Sequence, residues 1–141
     1  MSIAENRSLV RRYVEEVLNA GKLELLYDLV SPDYKRYLTP TAAPLASETQ
    51  RQRLAGFHAA FPDIHLSIED LIADDDLVAI RMTLQGTHQG SFQGIAPTNK
   101  QVKVFAVEVV RIQNGRFSEH WVARTCYLSY SNWAPRCPPG R

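Results

Sequence analysis

The chain has 141 residues, 45% hydrophobic and 22% charged, with a formal net charge of +1. Those values describe one globular domain and exclude a disordered chain; the near-neutral charge leaves no basic excess for a nucleic-acid partner. No run of apolar residues reaches the roughly 18 needed to cross a membrane, and the interrupted start does not read as a secretory leader, so a cytoplasmic protein is expected. Two cysteines, Cys126 and Cys137, are too few for a disulfide framework and form no CxxC pair.

In chain order, Val10, Tyr13, Val14, Val17 and Leu18 recur at helical spacing. Ser2 with Glu5 makes a capping box, and Gly21 is a natural stop. A short second helix, LELLYDLV, ends at Ser31-Pro32, and PDYKRYL then reads as extended. After the loop TPTAAP, a third helix is expected from Ser47, with Gln50 completing a second capping box. Leu54, Phe57 and Phe61 line one face of it, and Pro62 closes it.

From Asp63 the period becomes two. Ile64, Leu66 and Ile68 alternate with polar residues to about Ala73, Asp74–Asp76 makes a solvated turn, and LVAIRMTLQGTH forms a second long strand. The acidic triplet lacks the spacing of a calcium loop. A loop with Gly86, Gly90, Gly94 and Pro97 follows; no helix comes after it, so it is no phosphate cradle. Strands at about Val102–Ile112 and Phe117–Tyr130 are joined by Gln113-Asn114-Gly115, a hairpin signal. Three helices before a run of hairpins predict an α+β fold. In it, a curved sheet, antiparallel or mixed, packs under the helices around an internal pocket. The whole chain reads as one domain, with its core at about 6–130 and an irregular proline-rich tail at 131–141.

Several segments in a fixed order carry a family likeness: FPD at Phe61–Asp63, GTHQGSF at Gly86–Phe92, PTNK at Pro97–Lys100 and NGRFSEHW at Asn114–Trp121. Together they resemble the SnoaL-like polyketide cyclases, or ester cyclases, of the nuclear transport factor 2-like superfamily. The resemblance implies a cone-shaped barrel, a homodimer, no metal and no organic cofactor. It also implies an acidic general base for ring closure on a polyketide-like small molecule in natural-product biosynthesis. Many members continue the last strand as EHWDxxD, the final Asp being the base. Here the strand reads EHWVARTCY, and Thr125 stands at that position, where it can only be a pocket wall.

The residues themselves offer other candidates. Glu108 interrupts the apolar row Val104, Ala106, Val110 and Ile112; unpaired in a dry site, it would have a raised pKa and suit acid–base work. A salt-bridged or interfacial carboxylate is the alternative. His88, Tyr34 and Tyr37 could donate to a developing oxyanion or move a proton. Arg124 makes the His120 face of the last strand the wet one, leaving Trp121 and Thr125 toward the pocket with Phe57, Phe61, Met82 and Arg81. His120 then reads as a surface or interface histidine. The expected function is cofactor-independent ring closure, by acid–base or pericyclic catalysis. Epoxide-opening or isomerase chemistry, or a binding and dimerisation module without chemistry, are the alternatives on the same fold.

Overall fold

The computed structural model describes residues 2–92 and 94–124. Helix α1 (Ile3–Arg12) opens on the expected capping box, with the Glu5 backbone N–H donating to Ser2 Oγ and the Ser2 N–H donating to the Glu5 carboxylate. The helix then widens into a π-helical stretch, Tyr13–Asn19, whose Tyr13, Val14, Val17 and Leu18 are buried. Asn19 ends it by pairing with both backbone groups of Leu66 on the neighbouring strand. Gly21 takes the left-handed conformation (φ 73°) that favours glycine. A 3₁₀ turn, Leu23–Leu25, leads into the short α2 (Leu26–Leu29).

Strand β1 (Val30–Tyr37) is followed by α3 (Ser47–Ala60). The capping box expected at Ser47 and Gln50 does not form. Ala46 is the N-cap, no side chain caps the helix, and Gln50 is wholly buried. The remaining strands are β2 (His65–Asp74), β3 (Leu77–Thr87), β4 (Gln101–Gln113) and β5 (Arg116–Arg124). Asn114 and Gly115 both have positive φ, as the tight hairpin between β4 and β5 requires.

The five strands of the described residues form one sheet in the order β1-β5-β4-β3-β2. Every neighbouring pair is antiparallel except β1 with β5, which run parallel. The sheet is therefore mixed, and the first strand closes its far edge beside the last. The inner face carries Val78, Ile80 and Met82 of β3 and Val102, Val104, Ala106, Val110 and Ile112 of β4, all buried. Val10, Val14, Val17, Leu26, Leu29 and Leu54 of the helices pack in the same core.

The loop between β3 and β4 is fastened at its base. The His88 N–H donates to the Lys100 carbonyl and the Asn99 N–H to the His88 carbonyl. Gln89 and Gly90 both donate to the Ala60 carbonyl at the end of α3. A Cβ on Gly90 would lie 2.3 Å from the Ala59 carbonyl oxygen, so only glycine permits this approach. The tail from Thr125, with Cys126 and Cys137, lies outside the described residues.

Candidate active site

Alternation along β1 sends Tyr34 and Arg36 inward and Tyr37 outward. The parallel register sets Arg36 beside His120 and Tyr37 beside Trp121. On the other flank of β5, Glu108 of β4 faces Val122. The inner face thus gathers a buried polar group: Tyr34, Arg36, Glu108 and His120, none more than 4% exposed.

Arg36 Nη2 donates to Glu108 Oε1 at 2.5 Å. Arg36 Nη1 lies 3.1 Å from each ring nitrogen of His120. The Tyr34 hydroxyl is 2.9 Å from His120 Nδ1, and His120 Nε2 is 3.5 Å from Glu108 Oε2. A neutral imidazole protonated on Nε2 suits these partners: Nε2–H faces the carboxylate, and Nδ1 accepts from the phenol. Burial pushes the His120 pKa down, and the Arg36 charge adds to that, so the ring is neutral. Tyr13 packs edge-on against both His120 and Phe117. Burial raises its phenol far above the ordinary range and holds that of Tyr34 at about 12, so both remain protonated donors.

Glu108 reverses one expectation. A raised pKa required an unpaired carboxylate, but Arg36 supplies the pair. Burial alone would push the carboxyl up; the guanidinium and His120 outweigh it and hold the group well below the usual carboxylate range. Glu108 is therefore a permanent anion, a poor proton acceptor and a fixed anchor for Arg36.

A small cavity that opens to solvent lies between the inner sheet face and the helices. Its walls are apolar, with Leu18, Leu54, Phe57, Ile64, Leu66, Met82, Leu84, Ala106 and Val122 among them. Tyr13, Arg36 and Glu108 supply polar atoms at the buried end, and Arg53 and His58 line it from the part-exposed face of α3. Glu108 is the only acidic residue among the described lining residues. Two buried atoms here, Arg36 Nε and Glu108 Oε2, have no hydrogen-bond partner among the described residues.

The expected site residues divide accordingly. Glu108, Phe57 and Met82 line the cavity. Tyr34 is one step behind it, against His120. Phe61 is core, packed on His88 and Phe92. His88 is buried at the loop base, where its Nδ1 accepts from the Thr98 backbone N–H; it fastens the loop and is not in the lining. Arg81 is on the outer face, in an exposed ion pair with Asp70. Tyr37 and Trp121 also face outward, stacked with ring centres 5.8 Å apart and planes 11° apart. The assignment of Trp121 to the pocket is thus corrected: on β5 the inward residues are His120 and Val122. Thr125 lies outside the described residues.

Sequence reasoning missed Arg36, His120, Tyr13 and Arg53. Arg36 was legible in principle, since it alternates with Tyr34 on a strand, but its partner lies 72 residues away. Among the described residues, no three His, Cys, Asp or Glu side chains cluster as metal ligands do. No helix of the described residues is long and apolar enough to cross a membrane.

The fold recurs in solved structures. AclR of Streptomyces galilaeus, a candidate hydroxylase, shares 31% identity at a TM-score of 0.83, over 92% of this chain and 80% of its own. IdmH of Streptomyces antibioticus, a candidate polyketide cyclase, shares 27% at 0.79, over 89% and 96%. A SnoaL-like protein of Jannaschia sp. CCS1, at 20% identity and a TM-score of 0.86 over 99% and 97%, shares the fold. No functionally curated protein matches the chain significantly. The SnoaL-like polyketide cyclase model matches residues 8–124, and the chain belongs to that family.

Proposed function

We propose that the protein closes a ring on a polyketide-like small molecule in natural-product biosynthesis, with shape and a fixed positive charge as its main tools. The observation that carries this reading is the Nε–H of Arg36, which has no partner among the described residues and is buried on a residue that lines a largely apolar cavity. Buried donors are almost always satisfied, so an orphan donor on a residue that lines a cavity is a candidate partner for a ligand acceptor. A substrate carbonyl in that place would be polarised by a guanidinium that Glu108 holds still, and an oxyanion forming there would be stabilised with little reorganisation. The apolar walls would hold the chain in a folded, reactive shape and exclude water.

Glu108 is too acidic to be the general base, and no Asp stands at Thr125. The reading therefore favours a closure that needs a polarised oxygen and a folded chain more than a strong base, such as a pericyclic or conjugate-addition closure. The test is incubation of the purified protein with linear poly-carbonyl or polyene-carbonyl precursors, followed by mass spectrometry and NMR of the products. A cyclic isomer that disappears with Arg36→Met supports the reading; no ring-closed product from any precursor removes it. The 31% identity to AclR favours a second reading, hydroxylation of the same kind of molecule. Hydroxylation adds one oxygen to the product mass, and an isomerising closure adds none.

We also propose that the outer sheet face joins two copies of the chain. Phe105 and Val107 of β4 are 50% and 41% exposed there, beside the Tyr37–Trp121 stack. A contiguous apolar patch of that kind is typical of an interface.

A further inference from the structure

A closure by conjugate addition must put a proton somewhere. The titratable side chains among the described lining residues are Tyr13, Arg36, Arg53, His58 and Glu108. All but His58 are unfit to accept a proton near neutral pH. The guanidinium groups of Arg36 and Arg53 are already cations. Tyr13 stays a protonated phenol, because burial raises it far above the ordinary range. Glu108 is held as an anion by Arg36 and His120, well below the usual carboxylate range.

Of these side-chain types, only imidazole ordinarily changes its charge near neutral pH. His58 is part-exposed in the last turn of α3 and lines the same cavity as Arg36. Its ring lies over Gly21: Cε1 is 3.5 Å and Nδ1 3.8 Å from the point where a Cβ on that glycine would sit. Among the described residues, neither ring nitrogen of His58 has a hydrogen-bond or ion-pair partner. His120 and His88 differ on each count. Both are wholly buried, neither is in the lining, and their nitrogens are engaged with Tyr34, Arg36 and Thr98.

We propose that His58 is a catalytic residue, the general base that moves one proton within the substrate. A ring nitrogen of neutral His58 takes the proton from a nucleophilic carbon that stands between two carbonyl groups. The freed electron pair forms the new carbon–carbon bond to the β-carbon of a conjugated carbonyl, and the π pair of that system moves onto the carbonyl oxygen at Arg36. The imidazolium then returns the proton to the α-carbon as the oxyanion collapses to a carbonyl. The product is an isomer of the substrate, and no other reactant is consumed. This rests on the cavity being the substrate site, as the proposed function has it.

The test uses 5-nitrobenzisoxazole, a flat apolar probe that opens to a coloured cyanophenolate when a base removes its acidic proton. Its C–H and N–O bonds break, the electron pair ends on the phenolate oxygen, and the proton goes to the base. Wild type should open the probe well above the buffer rate, and decanoate, an apolar chain able to occupy the cavity, should inhibit. His58→Gln should lower kcat about 100-fold, as expected on losing a general base, with KM changed less than about threefold. Added imidazole should restore part of the rate to His58→Ala, beyond what imidazole does alone. Thermal melts of both variants should match wild type, as expected for a part-exposed position. A full rate in His58→Gln, or a wild type that binds the probe without opening it, overturns the proposal and leaves the cavity standing. So does loss of rate in both variants without rescue, which would make the ring's role structural. Failure of both the probe and decanoate to bind in calorimetric titration removes the cavity reading and this proposal with it.

Discussion

Arg36 and His120 stand side by side on parallel strands, with Arg36 Nη1 3.1 Å from both imidazole nitrogens. Such contact between a cation and a histidine is tolerable only if the ring is neutral, and the lowered pKa of His120 agrees. The neighbouring carboxylate of Glu108 takes up the charge of Arg36. The three side chains are one electrostatic unit, and altering any one changes what the other two must do.

Breaking that unit on one side should be costly. Glu108→Leu leaves a buried guanidinium without its counter-ion, and Arg36→Met leaves a buried carboxylate. Each should lose about 3–5 kcal/mol in urea unfolding, while the double variant should be more stable than either single one. If the double variant is only as stable as the sum of the two losses predicts, the pair is not coupled.

The neutral histidine gives the fold an acid-sensitive step. Its folded pKa lies below its unfolded value near 6.5, so the unfolded chain binds more protons as pH falls through that value. Stability should therefore fall on acidification below about pH 6.5, with a slope of at most about 1.4 kcal/mol per pH unit from this one group. Glu108, whose folded pKa is also depressed, adds a further loss below its unfolded value near 4.3. Unfolding measured between pH 7.5 and 5.5 should show the first loss in wild type and a flatter profile in His120→Gln.

The two faces of β5 should separate in function. Val122→Phe pushes bulk into the cavity lining and should weaken decanoate binding at least tenfold. Trp121→Ala strips the outer stack and should leave that binding within about twofold, while raising the concentration needed for self-association in analytical ultracentrifugation. Loss of binding in Trp121→Ala would place the indole in the wrong face.

Gly90 is the tightest point of the loop base. Gly90→Ala forces a methyl into the Ala59 carbonyl and should cost about 1–3 kcal/mol, with the loop and the end of α3 yielding first in hydrogen exchange. Unchanged exchange at Gln89 and Ala60 would mean the contact is looser than it looks.

Much of this architecture could be read beforehand. The helical period of Val10 to Leu18, the Ser2–Glu5 cap and the Asn114-Gly115 turn are local signals, and local physics decides them. What went astray was non-local. Ser118 is an extra residue in β5: the register shifts between Arg111 and Ile112, so buried Phe117 and buried His120 share a face although three positions apart. Strict alternation from Phe117 puts Trp121 inside, and Arg124 pointed the same wrong way. Glu108 stood out in its apolar row, but whether its pKa rose or fell depended on Arg36, a partner that no spacing rule could supply.

The parallel docking of β1 against β5 bears on how the molecule is assembled. The hairpins β2-β3 and β4-β5 can zip from local turns, but the guanidinium that neutralises Glu108 arrives from a strand 72 residues earlier. Until that edge strand docks, the half-built sheet must keep its lone carboxylate in water, and its inner face cannot dry. Enclosure of the greasy interior and completion of the ionic couple thus become a single late event, which penalises partly closed forms.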